Sequence, residues 1–271
     1  MTGQKNLLNM VQGTLEQGCV MAMSTATPLV QALEVVEIQG NSYSYNVVDT
    51  LVPTAHRELG EEVTANEMQT EKVVRELKIL SNAIKTDRVY RHMSNINDIK
   101  AQSTELAMVS NGKAFEKETI AELKDLQSKD IAGKKFTGAL TVDLIDDALD
   151  YVNGANLIFV NNKGQRALKK LLKEEGQMPE TVESFGKRVI AYNGIPVHVS
   201  DDLEDAEILV IRAEKNGVHL ITNGGFTAYE QQENVFDVTY TELLHQVCAK
   251  TKNAFAIVEI SPSLASARAK K

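Results

Sequence analysis

The chain has 271 residues, 43% of them hydrophobic and 24% charged, and a formal net charge of −8. That length can bury roughly three quarters of its unfolded surface in one large or two modest domains. No segment approaches the ~20 consecutive apolar residues that span a bilayer. The acidity argues against a protein that coats DNA by neutralising phosphates, which needs an excess of Lys and Arg.

Residues 1–40 mix short apolar clusters, such as Leu7, Leu8, Met10 and Val11, with an extended run from Leu33 to Ile38. The first eighteen residues, interrupted by Gln and Gly, do not suit a secretory signal. So few large apolar residues suggest an arm that lies on something else. From Ser42 to Lys85 the pattern is that of strands: YSYNVV, a polar stretch around Gly60 to Thr70, then KVVRELKIL, with Val73, Leu77 and Ile79 as its apolar positions. This predicts a long hairpin with a broad loop. Its returning strand concentrates Glu71, Lys72, Arg75, Glu76 and Lys78, and an isolated two-stranded hairpin is marginal in water. Those five side chains are therefore the candidate contacts to another subunit; an edge on the chain's own sheet is the alternative.

Residues 95–127 read as one long helix, with Ile96, Ile99, Ser103 and Leu106 on one stripe, Ile120, Leu123 and Leu126 later, and a possible break near Gly112. Thirty helical residues span ~45 Å, wider than a small domain. A second helix starts at the N-cap Thr141, carries Asp143 in its positive first turn, buries Val142, Ile145, Leu149 and Val152, and ends at Asn153-Gly154. An α/β rhythm follows: the strand NLIFV at 156–160, then a helix over 163–175 stopped by Gly176. RVIAY and IPVHVS flank Asn193-Gly194, a hairpin signal, and Pro196 predicts an edge position for the second strand. EILVIRA and VHLIT predict another hairpin through Asn216-Gly217. Asn223-Gly224-Gly225, the strands FTAY and FDVTY, the strand FAIVEI and a polar tail complete the chain.

Chemistry is harder to find. The sequence has no phosphate-binding glycine loop, no GxGxxG, no GxSxG and no HExxH. His56, His92, His198, His219 and His245 include no pair at metal-ligand spacing on a helix, so no metal or cofactor is expected. Asp201, Asp202, Glu204 and Asp205 beside His198 lack the oxygen spacing of a calcium loop and read as an exposed connection. Asp146, Asp147 and Asp150 read as a solvated helix face. Cys19 and Cys248, both in apolar surroundings, read as buried thiols. A cytosolic α/β enzyme using His198, Asp201 or Asp202 is the rival from a different functional class.

The order of elements resembles the major capsid proteins of tailed bacteriophages, the Hong Kong 97-type fold also used by encapsulin compartments. The resemblance rests on residues 36–90, VEIQG through DRVY, and on NLIFVNNKGQRALKKLL followed by YNGIPVHVSDD. It implies an α+β chain divided into an N-arm at 1–40 and an extended loop, a β-hairpin, at 41–86. A peripheral domain with a spine helix would take 87–153 and 230–271, and an axial α/β domain 154–229. It further implies a structural subunit that is not an enzyme, assembling with itself into pentamers and hexamers of an icosahedral virion shell that encloses double-stranded DNA. Such a shell is built in the bacterial cytoplasm. The expected partners are a portal, a decoration protein and, because no scaffolding segment precedes the arm, a separate scaffolding protein. An encapsulin-type compartment is the alternative within the family.

Overall fold

The computed structural model describes residues 8, 10, 14–48, 54, 56–60, 62, 70–89, 96–176 and 180–261. Most of the predicted polar loop between 49 and 69, His92 and the tail after Ser261 lie outside them. The first elements are helices α1 (Thr14–Ala26) and α2 (Pro28–Ala32), then strands β1 (Glu34–Glu37), β2 (Ser42–Val48), β3 (Thr70–Glu76) and β4 (Lys78–Asp87). Next come the long helix α3 (Ile96–Ser128), β5 (Lys134–Gly138), α4 (Val142–Val152), β6 (Leu157–Val160) and α5 (Asn162–Glu174). The chain continues through β7 (Glu180–Ser184), β8 (Lys187–Tyr192), β9 (Ile195–Val199) and β10 (Glu207–Ile211). It finishes with β11 (Val218–Glu233), β12 (Phe236–Ala249) and β13 (Phe255–Ile260).

A seven-stranded mixed sheet, in the order β5-β13-β10-β6-β9-β8-β7, holds two cores apart. Along its central strands alternate side chains point to opposite faces. Leu157, Phe159, Leu209, Ile211, Phe255 and Ile257 meet residues of α1, α2 and α3 in one core. Ile158, Val160, Ile208, Val210, Ala256 and Val258 meet Ile145 and Val152 of α4 and Leu168 and Leu172 of α5 in the other. Burial on both faces explains why NLIFV, EILVI and FAIV are continuous apolar runs. Each fully buried Val, Leu, Ile or Phe among them contributes about 1.5–3 kcal/mol on leaving water.

The second sheet, β1-β11-β12-β4, packs on α1 and α3 through Leu220, Phe226, Leu243 and Val247. Its opposite face carries Ile221 and Cys248, on which the two-stranded β2–β3 sheet lies through Tyr45, Val47, Val73 and Leu77. Helix α3 runs 33 residues without a break at Gly112, ~50 Å at 1.5 Å per residue. Its buried side is set by Met108, Phe115, Ile120, Leu123 and Leu126; Leu106, placed in the apolar stripe by spacing, is 70% exposed. The Thr141 cap formed where the sequence placed it, its Oγ1 accepting from Leu144 N at 3.2 Å; α5 starts one residue earlier than expected, capped by Asn161, whose Oδ1 accepts from Gly164 N at 2.6 Å.

Three local expectations give way to tertiary pairing. Strand β9 is interior, between β6 and β8, although it carries Pro196. The β6 ladder begins only at Val197, so the missing N–H of Pro196 costs no bond there. β10 and β11 do not pair as a hairpin but enter different sheets, with a single bridge, Ala213 to Val218, between them. VHLIT and FTAY, expected as separate strands, are one strand, β11, with Asn223-Gly224-Gly225 a bulge inside it: both glycines have φ near +70° to +75°, and pairing with β12 resumes at Phe226 opposite Leu243. The Asn193-Gly194 turn does form as expected, with φ of +49° and +78°.

Candidate subunit-contact surface

Strands β2 and β3 pair antiparallel from Ser42 opposite Glu76 to Val48 opposite Thr70. Period-2 alternation sends Tyr45, Val47 and Val73 inward, where all are buried. Lys72, Val74 and Glu76 share the other face of β3 with Ser42, Ser44 and Asn46 of β2, all exposed. Val74 is 59% exposed in the middle of that polar stripe.

The five candidate charges separate into two groups. Arg75 turns back to α3, its guanidinium 3.3 Å from Glu122 and 3.5 Å from Asp125, with only 11% of the side chain exposed. Lys78, the first residue of β4, pairs with Glu118 at 3.2 Å and also with Glu122. Glu122 further accepts from Gln246 Nε2 at 3.4 Å, and His245 Nε2 lies 3.4 Å from Glu118. The His245 ring beside it, with Lys78, holds the Glu118 carboxyl down to about 2. These contacts fasten the base of the hairpin to α3 of the same chain. Glu71, Lys72 and Glu76 remain exposed. The segment thus divides at Leu77, which is buried, while Ile79 beyond it is 68% exposed instead of inward as alternation suggested.

A second exposed region lies at the far end of the β11–β12 ribbon. Tyr229 and Tyr240 stack across the strands at 5.3 Å, and Tyr229 (46%), Val235 (58%) and Phe236 (37%) are open to solvent. Val89, also exposed, follows Arg88, whose N–H donates to Val235 O at 2.9 Å. Exposed apolar groups of this kind, rimmed by charge, commonly mark contact surfaces.

The rival catalytic grouping is organised differently. His198 is 5% exposed, its ring 5.8 Å from Phe159 and 5.2 Å from Phe185, with Nε2 3.0 Å from Ser184 Oγ. Burial, with Lys187 nearby, lowers its pKa to about 4. Asp201 and Asp202 are exposed; Asp201 accepts from Asn162 at 3.2 Å, while Asp205 pairs with Lys163 and accepts from Asn161 at 2.6 Å. The acidic run therefore engages the start of α5. Asp147 and Asp150 are solvated as expected, but Asp146 accepts from Tyr192 Oη at 2.6 Å and Asn193 Nδ2 at 3.3 Å. Among the described residues no group of three or more His, Cys, Asp or Glu could hold a metal ion, and no helix is long and apolar enough to cross a membrane. Cys19 and Cys248 are free and buried.

No protein-family model and no curated protein sequence matches the chain. Solved structures do. The SrpI encapsulin of Synechococcus elongatus superposes with a TM-score of 0.70 at 18% identity, covering 94% of each chain. The capsid of a native GTA particle gives 0.61 at 14% identity over 93% of each chain. A virus-like particle from Pyrococcus furiosus gives 0.60 at 13% identity over 90% of this chain and 97% of the other. Superposing on these shells over nearly its whole length, the chain has the mixed α and β Hong Kong 97-type fold of capsid and encapsulin shell proteins.

Proposed function

We propose that this chain is a shell-forming structural subunit, in its leading reading the major capsid protein of a tailed bacteriophage. Superposition over 94% of both chains with a shell protein is the observation that carries the shell reading. Pentamers and hexamers would close into an icosahedral head around double-stranded DNA, assembled in the bacterial cytoplasm with a separate scaffold, a portal and a decoration protein. Residues 1–40 act as an arm, 41–86 as the extended loop, 87–153 with 230–271 as the peripheral domain and 154–229 as the axial domain. Heterologous contacts around local axes close such a shell, and contacts smaller than a standard ~1,600 Å² interface become strong when every subunit makes several. Exposed Glu71, Lys72 and Glu76 belong to the contact between neighbours. Arg75 and Lys78 set the hairpin's angle by tying it to α3, and so act on that contact indirectly. The role is architectural: the buried His198 ring and the exposed Asp201 and Asp202 serve packing and capping, not turnover.

The encapsulin-type compartment is the second reading, favoured by the TM-score of 0.70 with the SrpI shell. Particles from the native source distinguish the two. Nuclease-protected double-stranded DNA within them supports the capsid reading, whereas protein cargo without DNA supports the compartment. A chain that stays monomeric by size-exclusion chromatography with light scattering, even with a scaffold co-expressed, contradicts both.

A further inference from the structure

A cleft of about 450 Å³ opens where α2 faces α5 and the β7–β8 hairpin, with Gln31 of α2 on one wall. Three cations line it, Lys169 of α5 and Lys187 and Arg188 of β8, together with Gln165, Ser184 and the edge of His198. No carboxylate is among the described residues that line it, although the whole protein is acidic. Among the described residues none of the three cations forms an ion pair, and Glu183, opposite Arg188 in the hairpin register, does not pair with it. Elsewhere Lys and Arg are widely engaged, as at Arg75, Lys78, Lys124 and Lys163. Three unneutralised cations around one concave site repel one another, and an anion relieves that repulsion.

The turn that shapes the cleft is strained. Phe185 has φ of +51°, a conformation that costs a bulky L-residue energy, and its ring is fixed against the buried His198. This conformation places Ser184 and Phe185 on the wall of the cleft and Lys187 and Arg188 beside it. The buried imidazole, bonded to Ser184 at 3.0 Å and uncharged at neutral pH, braces that wall. We propose that this cleft binds a phosphorylated small molecule of nucleotide size, Lys169, Lys187 and Arg188 holding the phosphate oxygens and Phe185 with the neighbouring apolar wall accepting the remainder. The volume suits such a ligand, since small-molecule sites run about 300–1,000 Å³, and a guanidinium matches phosphate geometry. Bound between α2 and the hairpin, the ligand would tie the N-terminal segment to the α/β lobe and raise particle stability by mass action.

Isothermal titration of the full-length chain in its native assembly, with ATP and with pyrophosphate, tests this, citrate at matched ionic strength serving as the carboxylate comparison. The expected result is saturable binding of ATP or pyrophosphate, stronger than citrate. Lys187→Ala and Arg188→Ala should each weaken it about tenfold, the loss of one charge-assisted contact. Exposed Lys117→Ala, on α3, should leave it unchanged. Unliganded melting temperatures of both variants show that the fold is intact, as their exposed positions predict. Absence of saturable heat, citrate binding as tightly as pyrophosphate, or binding that survives the double variant overturns the proposal.

Discussion

Glu116 shows how a single residue reports the packing of α3. It is 5% exposed and its Oε1 has no hydrogen-bond partner. Burial raises its carboxyl to about 7; a hydrogen bond from Ser200 opposes the rise, and the charges of Asp202 and Asp201 add to it. The folded chain therefore keeps this proton between pH 4.5 and about 7, where the unfolded chain has released it. Stability falls as pH rises through that window, by roughly 3 kcal/mol in all, and the loss persists above it. Glu116→Gln is expected to raise the melting temperature at pH 8 and leave it nearly unchanged at pH 4.5; an equal gain at both would contradict this account. Cys248 makes a second prediction. Burial pushes its thiol up to about 12, so iodoacetamide should label it only after unfolding. The sequence indicated buried thiols from their apolar neighbours. Glu116 was not legible there, because its place on the inner side of α3 depends on a loop that begins 84 residues later, at Ser200.

Elements were legible where the determining signal is local. The Asn193-Gly194 turn, the Thr141 cap and the runs forming β6, β10 and β13 follow from positive φ, a hydroxyl and unbroken apolar stretches. Signals shared by two structures misled: Asn223-Gly224-Gly225 supplies the same positive φ to a bulge as to a turn, and only the partner strand β12 decides between them. Long-range ion pairs were invisible for a related reason. Lys78 and its partner Glu122 are 44 residues apart, so a charged strand reads as an outward face even when part of it is spoken for. The division of those charges predicts two classes of variant. Arg75→Ala leaves the nearly buried Glu122 with less compensation and should destabilise the isolated chain by roughly 3 kcal/mol, read by urea unfolding. Glu71→Ala, Lys72→Ala and Glu76→Ala combined should leave that unfolding curve unchanged and lower shell yield instead. A loss of chain stability in the triple variant, or full shell yield from it, contradicts the assignment.

At the scale of the whole molecule, α3 joins the three layers. One side packs on the four-stranded sheet and α1, its acidic residues hold the base of the hairpin, and Lys124 reaches Glu207 of β10 at 2.6 Å. Such a helix links the base of the hairpin to the seven-stranded lobe, and under the proposed shell role it would hold contacts at several places in a fixed relation. Salt should weaken the exposed hairpin contacts more than the half-buried Arg75 cluster, because surface charges are screened over about 10 Å at 0.1 M. The claim that ties these scales together is closed self-assembly. Electron microscopy of the purified full-length chain, alone and with a scaffold co-expressed, tests it most directly. The account predicts closed icosahedral particles or their pentameric and hexameric capsomers, with the outer face of β2–β3 lying on a neighbour; a monodisperse monomer or dimer under both conditions would contradict it.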